Sequence, residues 1–262
     1  MILVTGATGG VGRQVVDALL ARGATEVRAL TKDPRRAALP AEVDVVSGPP
    51  TTAAAYAGVD RMYLAPHQPT VTKVCRLAAD AGVRHIVDLA GAKGGPWQLI
   101  EDAVEASGVP WTHLEPGEFM SNLGMWAPQI KAGDVVRDTR GDVVNAPIAV
   151  EDIAAVAAKI LVDGGHHGRS YPLTGPQALT RRGKLAALGA ALGRDLIFEE
   201  VSREAAIERL APVMGEHAAW YVDGLEVLAR HPQAVDGTVA DLLGRPATSL
   251  TEWARRNAAL FT

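Results

Sequence analysis

The stretch TGATGGVGRQVV, residues 5–16, places Gly6, Gly9, Gly10 and Gly12 directly after the apolar run Ile2-Leu3-Val4. Beyond the glycines, Val11, Val15 and Leu19 recur at helical spacing, with Val16 and Leu20 beside them. A strand, a glycine-rich turn and an amphipathic helix in that order form the context in which glycines cradle a dinucleotide. One glycine permits the sharp turn, another lets the backbone approach a pyrophosphate, and the last allows helix to pack closely on strand. The helix amino terminus then presents free N–H groups and a partial positive charge to the phosphates. The spacing is Gly-x-x-Gly-x-x-Gly rather than the more familiar Gly-x-Gly-x-x-Gly.

Outward from this loop, short apolar runs alternate with longer amphipathic ones. ILVT, EVRALT, VDVVSG, DRMYLA, RHIVDLA and PWTHLEP read as strands; VGRQVVDALLARG, VTKVCRLAADAG and PWQLIEDAVEASG read as helices. Gly23, Gly82 and Gly108 stand where left-handed helix caps are expected. Such alternation implies right-handed crossovers and a parallel sheet covered on both faces, an α/β doubly wound (Rossmann) fold. After residue 116 the rhythm loosens. GDVVRDTRGDVVN reads as a hairpin, AVEDIAAVAAKIL as a helix and SYPLTGP as a strand, and the chain from Arg181 onward is mostly helical. The expected organisation is a core over residues 1–175, to whose neighbour residues 118–145 contribute, and a smaller C-terminal lobe over residues 176–262 packed on it.

Composition narrows the function classes. A formal net charge of -4 argues against a nucleic-acid partner, because phosphate binding shows as a basic excess. No run approaches the roughly 20 apolar residues that span a bilayer, and no basic leader precedes the first strand. Cys75 is the single cysteine and shares a helical face with Val71, Val74 and Ala78, so it reads as a core thiol in a reducing cytoplasm. His166 and His167 are adjacent and lack a partner at ligand spacing, so no metal site is expected.

The end of the second strand selects the dinucleotide. An acidic residue there would accept hydrogen bonds from a ribose 2′-hydroxyl and favour NAD. The chain instead reads RALTKDPRR, with Thr31 and Lys32 ahead of Asp33. A cation about 4 Å from a 2′-phosphate charge gains ~4 kcal/mol at an effective dielectric of ~20, and a carboxylate loses as much. Lys32, helped by Arg28, Arg35 or Arg36, therefore favours NADP(H), with NAD(H) still admissible.

The runs TGATGGVG, VRALTKDP, VPWTHLEPGEFMSNL, APIAVEDIAAVAAKIL and YPLTGPQALT, in this order, resemble the NmrA-like branch of the atypical short-chain dehydrogenase/reductases over nearly the whole chain. The resemblance implies an NAD(P)H-dependent oxidoreductase acting on a quinone or conjugated aromatic carbonyl, with aromatic polyketide tailoring in antibiotic biosynthesis as one setting. It equally admits a non-catalytic NADP(H)-sensing regulator, or an auxiliary enzyme in an oxygenation or dehydration cascade. It implies that Gly6, Thr8, Gly9, Gly10, Val11 and Gly12 hold the pyrophosphate, and that Lys32 beside Thr31 faces the 2′-phosphate. Ala65 and Pro66 would border the adenosine-side ribose, Ala90 and Gly91 the nicotinamide ribose, and Pro116 and Gly117 the nicotinamide.

The chain departs from the short-chain reductase pattern at the proton donor. It has no Tyr-x-x-x-Lys, Ala90 stands at the serine position, Glu115-Pro116-Gly117 replaces Arg-Pro-Gly, and Gly48-Pro49 replaces Gly-Asp. Ketone reduction needs a nearby acid for the alkoxide, whereas a conjugated acceptor spreads its charge. Trp111, His113 and Glu115 share one strand face. Asp88 lies in the neighbouring strand, so an Asp88–His113 hydrogen bond is expected, and Asp88, His113 and Glu115 are the acid–base candidates. His67 and Lys93, on loops, are candidate substrate contacts. Asn122, beside the apolar set Phe119, Met120, Met125 and Trp126, reads either as an aromatic pocket wall or as lobe core, and Trp220 as a residue closing the pocket.

Overall fold

In the computed structural model, which describes every residue except Arg36, Ala92, Lys93 and Pro96, the opening strand β1 (Ile2–Val4) lies in the middle of a seven-stranded sheet. The helix α1 (Gly10–Ala21) follows the glycine turn and leads to β2 (Val27–Thr31) and β3 (Asp44–Ser47). The chain then crosses to the other side of β1 with β4 (Arg61–Leu64), α2 (Val71–Asp80), β5 (His85–Leu89), α3 (Gln98–Glu105) and β6 (Trp111–Pro116). Farther along come α4 (Ala127–Ala132), β7 (Val135–Asp138), β8 (Val144–Asn145), α5 (Val150–Asp163) and β9 (Arg169–Leu173). The remainder comprises β10 (Leu179–Thr180), α6 (Arg181–Leu192), β11 (Ile197–Glu200), α7 (Arg203–Met214), α8 (His217–Arg230), α9 (Thr238–Leu243) and α10 (Leu250–Arg256).

The sheet order is β3-β2-β1-β4-β5-β6-β9, and all of its pairings are parallel. The reversal of winding at β1 and β4 is the topological switch point at which such sheets bind ligands. The doubly wound fold read from the alternation is therefore the observed one. Leu3, Met62, Leu64 and Ile86 project to one face, where they bury Val71, Val74, Cys75 and Ala78 of α2 and Ile100 and Val104 of α3. Cys75 is free and buried, and burial pushes its thiol up to about 12, with the Asp88 charge adding to the shift. Gly23, Gly82 and Gly108 adopt the expected left-handed conformation.

Two compact units divide the chain. The first holds residues 1–116, 150–173 and 238–245, and thus the whole sheet. Within it α5 lies against α1, and α9 lies against α5. Arg245 donates to the fully buried Asp152 at the start of α5 over 2.8 Å, so residues 238–245 join the sheet unit rather than the helical segment around them in sequence.

The second unit holds residues 117–149, 174–237 and 246–262. Its core gathers Met120, Leu123, Trp126, Leu185, Leu188, Trp253 and Phe261. Here the hairpin expected at GDVVRDTRGDVVN does not form. β7 pairs in parallel with β11, and β8 pairs antiparallel with β10. The intervening Asp138 is buried, where it accepts from Trp126 Nε1 at 2.6 Å and pairs with Arg181. An isolated hairpin could not have buried that carboxylate with its cation.

Among the buried polar atoms of the sheet unit that lack a hydrogen-bond partner is the Tyr63 hydroxyl. Tyr63 on β4 is fully buried and its hydroxyl makes no hydrogen bond. An unpaired buried hydroxyl costs on the order of 1–3 kcal/mol. Tyr63→Phe is accordingly expected to leave stability unchanged or raise it by about 1 kcal/mol; a urea titration showing a loss of that size would reveal a partner for the hydroxyl.

Candidate cofactor and active site

The turn between β1 and α1 is built by one backbone contact. Gly6 has φ +60°, and its carbonyl accepts the Gly9 N–H at 2.9 Å. A Cβ on Gly12 would lie 2.2 Å from that same carbonyl oxygen, and one on Gly6 would lie 2.7 Å from the Ala65 side chain. Nothing lies within 4 Å of a Cβ position at Gly10, which leaves the amino terminus of α1 open. The first turn of α1 carries no acidic residue to compete for the helix dipole. Glycine is required where the turn folds back onto the helix, which is the geometry expected of a diphosphate cradle.

Thr5 supports the cradle from below. Its buried hydroxyl donates to the Tyr63 carbonyl and accepts from the Ala65 N–H at 2.9 Å, which ties the carboxyl ends of β1 and β4 together. Beside the cradle, Gly6, Thr8, Leu30, Thr31, Lys32, Asp33, Gly48 and Pro50 line a cavity of about 360 Å³. Thr8 and Thr31 approach hydroxyl to hydroxyl at 3.4 Å across it. Lys32 is exposed on the cavity and makes no ion pair among the described residues. Asp33 is turned to its own loop, where its carboxylate accepts the Arg35 N–H at 3.2 Å.

The cavity also corrects and extends the sequence reading. Arg28 is no helper of Lys32, since it pairs with Asp44 at 2.7 Å and donates to the carbonyls of Ala55 and Ala57. Arg36 and Lys93 lie outside the described residues. Leu30, Gly48 and Pro50 were not singled out from sequence as cavity residues. The replacement of Gly-Asp by Gly48-Pro49 hid the third-strand wall, although Gly48 still marks the turn with φ +147°.

At the carboxyl ends of β5 and β6, Ala90 is buried and donates its N–H to the Leu114 carbonyl at 2.9 Å, and Gly91 is buried beside it. Pro116 ends β6. One turn of strand below, register brings Asp88 opposite His113. Both are buried, and His113 Nδ1 lies 2.7 Å from an Asp88 carboxylate oxygen, as strand adjacency led us to expect. His113 Nε2 reaches Glu105 on α3 at 3.4 Å, and the Trp111 ring stacks on the imidazole at 3.9 Å. Burial opposes the charged imidazole, but the Asp88 hydrogen bond, the charges of Asp88 and Glu101 and the Glu105 hydrogen bond outweigh it and hold the His113 pKa above its ordinary value. Glu115 is half-buried two residues farther along the same strand.

In the second unit the segment after Gly117 carries a buried ionic network. Glu118 is held by Lys184, by the Asn145 amide at 2.9 Å and by the Tyr221 hydroxyl at 2.9 Å. Arg181 donates to that hydroxyl at 3.0 Å and pairs with Asp138. Burial raises the Glu118 carboxyl, yet the Lys184 ammonium overrides it and keeps the group below the usual carboxylate range. Of the two readings open for the apolar set, Met120 and Trp126 are core: they are 1% and 0% exposed, and the Trp126 indole is spent on Asp138. Phe119, Asn122 and Met125 are half-buried. Trp220 is more than half exposed, and it is the Tyr221 side chain, not Trp220, that turns into the network. His67 is exposed; its ring meets the Thr70 hydroxyl at 2.8 Å and its carbonyl accepts the Val71 N–H, so it also starts α2.

A switch-point cavity joined to a glycine cradle at a helix amino terminus defines an NAD(P)H-binding α/β protein. Comparison with known proteins agrees: an NAD(P)H-binding family model matches residues 6–97. The chain is 38% identical, over 100% of its length and 99% of the relative, to the (4-alkanoyl-5-oxo-2,5-dihydrofuran-3-yl)methyl phosphate reductase of Streptomyces griseus subsp. griseus. It is 35% identical, over the same shares, to the NAD(P)H azoreductase of Xenophilus azovorans. The NADPH-dependent quinone oxidoreductase of Escherichia coli, solved with NADPH, superposes with a TM-score of 0.88 at 26% identity, over 98% of this chain and 100% of that one. The chain belongs to the NmrA-like family of atypical short-chain dehydrogenase/reductases and is an NAD(P)H-dependent oxidoreductase. Among the described residues no helix is long and apolar enough to cross a membrane, and no cluster of three or more His, Cys, Asp or Glu could hold a metal ion.

Two outcomes follow from this geometry. Gly12→Ala forces its Cβ onto the Gly6 carbonyl and should weaken NADPH binding by about tenfold or more, since the amides it displaces are those that face the diphosphate; a fluorescence titration giving the wild-type Kd would refute the cradle. The raised His113 pKa stabilises the fold fully below the unfolded value of about 6.5 and is lost as pH rises through the folded value. The wild-type melting temperature should therefore fall relative to His113→Gln as pH rises above about 6.5, and parallel pH profiles for the two proteins would exclude a charged imidazole.

Proposed function

We propose that the enzyme transfers hydride from NADPH, in preference to NADH, to a quinone or other conjugated aromatic carbonyl. The observation that carries this reading is the pairing of an intact cradle with a missing proton donor: Gly6, Gly9 and Gly12 are in place, while Ala90 occupies the serine position and no Tyr-x-x-x-Lys exists. When bound, the coenzyme supplies the hydride. The chain's part is to bind and orient it. The amides at the start of α1 hold the diphosphate, Lys32 neutralises the 2′-phosphate, and Ala65, Pro66, Ala90, Gly91, Pro116 and Gly117 border the two riboses and the nicotinamide.

An acceptor that spreads the incoming charge over a conjugated system needs no neighbouring alkoxide acid, so this site is matched to it. The relatives support this acceptor class: the compounds in their names are a quinone, an azo compound and an oxo-dihydrofuran. All three are reductases, which does not favour a non-catalytic sensor. The Streptomyces relative makes a role in secondary-metabolite tailoring the setting we favour. The buried Asp88–His113 pair acts in this scheme as a brace beneath Ala90 and Glu115, with Glu115 the carboxyl group nearest the nicotinamide end. From the sheet unit, His67 at the carboxyl end of β4 is our candidate substrate contact. The single free, buried thiol suits a reducing cytoplasm.

The test is loss of NADPH absorbance with a panel of quinones, azo dyes and simple ketones. Turnover is expected with the conjugated acceptors alone, and equal rates with simple ketones would overturn the reading. In the same assay Lys32→Ala should raise the KM for NADPH by about tenfold and leave that for NADH within about twofold. A parallel loss for both coenzymes would remove Lys32 from the 2′-phosphate.

A further inference from the structure

Trp97 stands out as a large apolar side chain that folding has not buried. It is 37% exposed, immediately before α3, at the carboxyl edge of the sheet rather than on an outer helix face. Its position is set by Gly91. A Cβ on Gly91 would lie 2.7 Å from Trp97 Cδ1 and 3.3 Å from its Cβ and Cγ, so the tryptophan rests directly on the glycine backbone and covers it. Gly91 itself is buried. The indole thus lies over the residue that, in the proposed function, borders the nicotinamide ribose.

The turn that carries Trp97 is braced. The Gln98 side-chain carbonyl accepts the Gly94 N–H at 2.9 Å, and its amide donates to Asp102 at 2.9 Å and to Glu101 at 3.3 Å. The Trp97 carbonyl accepts the Ile100 N–H at 2.9 Å. An aromatic ring held in place, partly exposed and seated against a bare glycine is a preorganised flat surface. Aromatic faces recognise planar π-systems by offset stacking, which is tolerant of substituents because each such ligand has a π-face.

We infer that Trp97 is the stacking wall for the acceptor, and that the enzyme therefore takes planar, conjugated ring compounds in preference to aliphatic enones of equal reactivity. This rests on the proposed function for the location of the nicotinamide. It adds a specificity-determining residue that neither the glycine motif nor the sequence patterning marks.

The experiment uses the full-length enzyme with menadione as the planar probe and an open-chain enone as the control. Trp97→Ala should raise the KM for menadione by about tenfold, Trp97→Phe by about threefold or less, and both should leave the KM for NADPH within about twofold. The KM for the enone should not move. Binding is read separately, without turnover, as quenching of tryptophan fluorescence when menadione is added to the enzyme saturated with NADP⁺. Saturable quenching in wild type that disappears in Trp97→Phe supports the assignment; equal quenching in the two proteins overturns it, as does an unchanged menadione KM in Trp97→Ala. If wild type binds menadione through Trp97 but does not oxidise NADPH with it, the proposed reaction fails while the stacking site stands. An unchanged KM for NADPH in Trp97→Ala itself excludes a folding defect, and Trp97→Phe carries the test if the alanine variant does not fold.

Discussion

The whole arrangement depends on a contact between two backbones. The start of α1 comes so close to the Gly6 carbonyl that residue 12 has no room for a side-chain carbon. Because of that approach the helix axis points its amino terminus at the carboxyl edge of β1, where the sheet reverses its winding. The same closeness leaves Gly10 bare toward solvent. In the function we propose, a diphosphate would meet amides that are already oriented, so that little ordering would remain to be done on binding. Thr5 extends the constraint to β4 by bridging the Tyr63 carbonyl and the Ala65 amide, so the carboxyl ends of β1 and β4 are tied together.

Buried charge is the second theme, and each unit resolves it separately. In the sheet, Asp88 would be an isolated carboxylate in an apolar strand without His113 across the ladder. In the second unit, Glu118 and Asp138 are answered by Lys184 and Arg181, with Tyr221 shared between the two pairs. Removing one member of such a network typically costs ~3–5 kcal/mol, because the partner charge is left stranded. Their value is geometric as much as energetic. A carboxylate with several fixed donors has one orientation, and Glu118 follows the proline-glycine step that leaves β6.

The missing tyrosine–lysine dyad takes on meaning beside these networks. The chain does contain a tyrosine and a lysine joined through one carboxylate, but Tyr221 and Lys184 are spent on Glu118 in a buried ionic cluster. Burial and the Glu118 charge keep the Tyr221 hydroxyl above its usual pKa rather than lowering it, unlike an activated catalytic tyrosine. The enzyme is therefore better suited to acceptors whose own conjugation bears the charge.

Much of the fold was legible in the sequence because it is written in neighbouring residues. The seven sheet strands, the helices α1, α2, α3 and α5, the glycine caps and the glycine turn after β1 each follow from periodicity or from a backbone conformation that one residue type allows. The Asp88–His113 pair was also readable, since parallel neighbours in a known strand order bring those positions together. What failed locally was the segment around β7 and β8, where two strands separated by a turn look like a hairpin but pair with β11 and β10. Only the tertiary structure decided that Arg28 is tied to Asp44, that Trp126 is core, that residues 238–245 return to the sheet, and that Trp97 rests on Gly91. The physical reason is range: a backbone turn or an amphipathic face is set within a few residues, whereas the partner of a charge or a ring is chosen by whatever the chain's path brings alongside it.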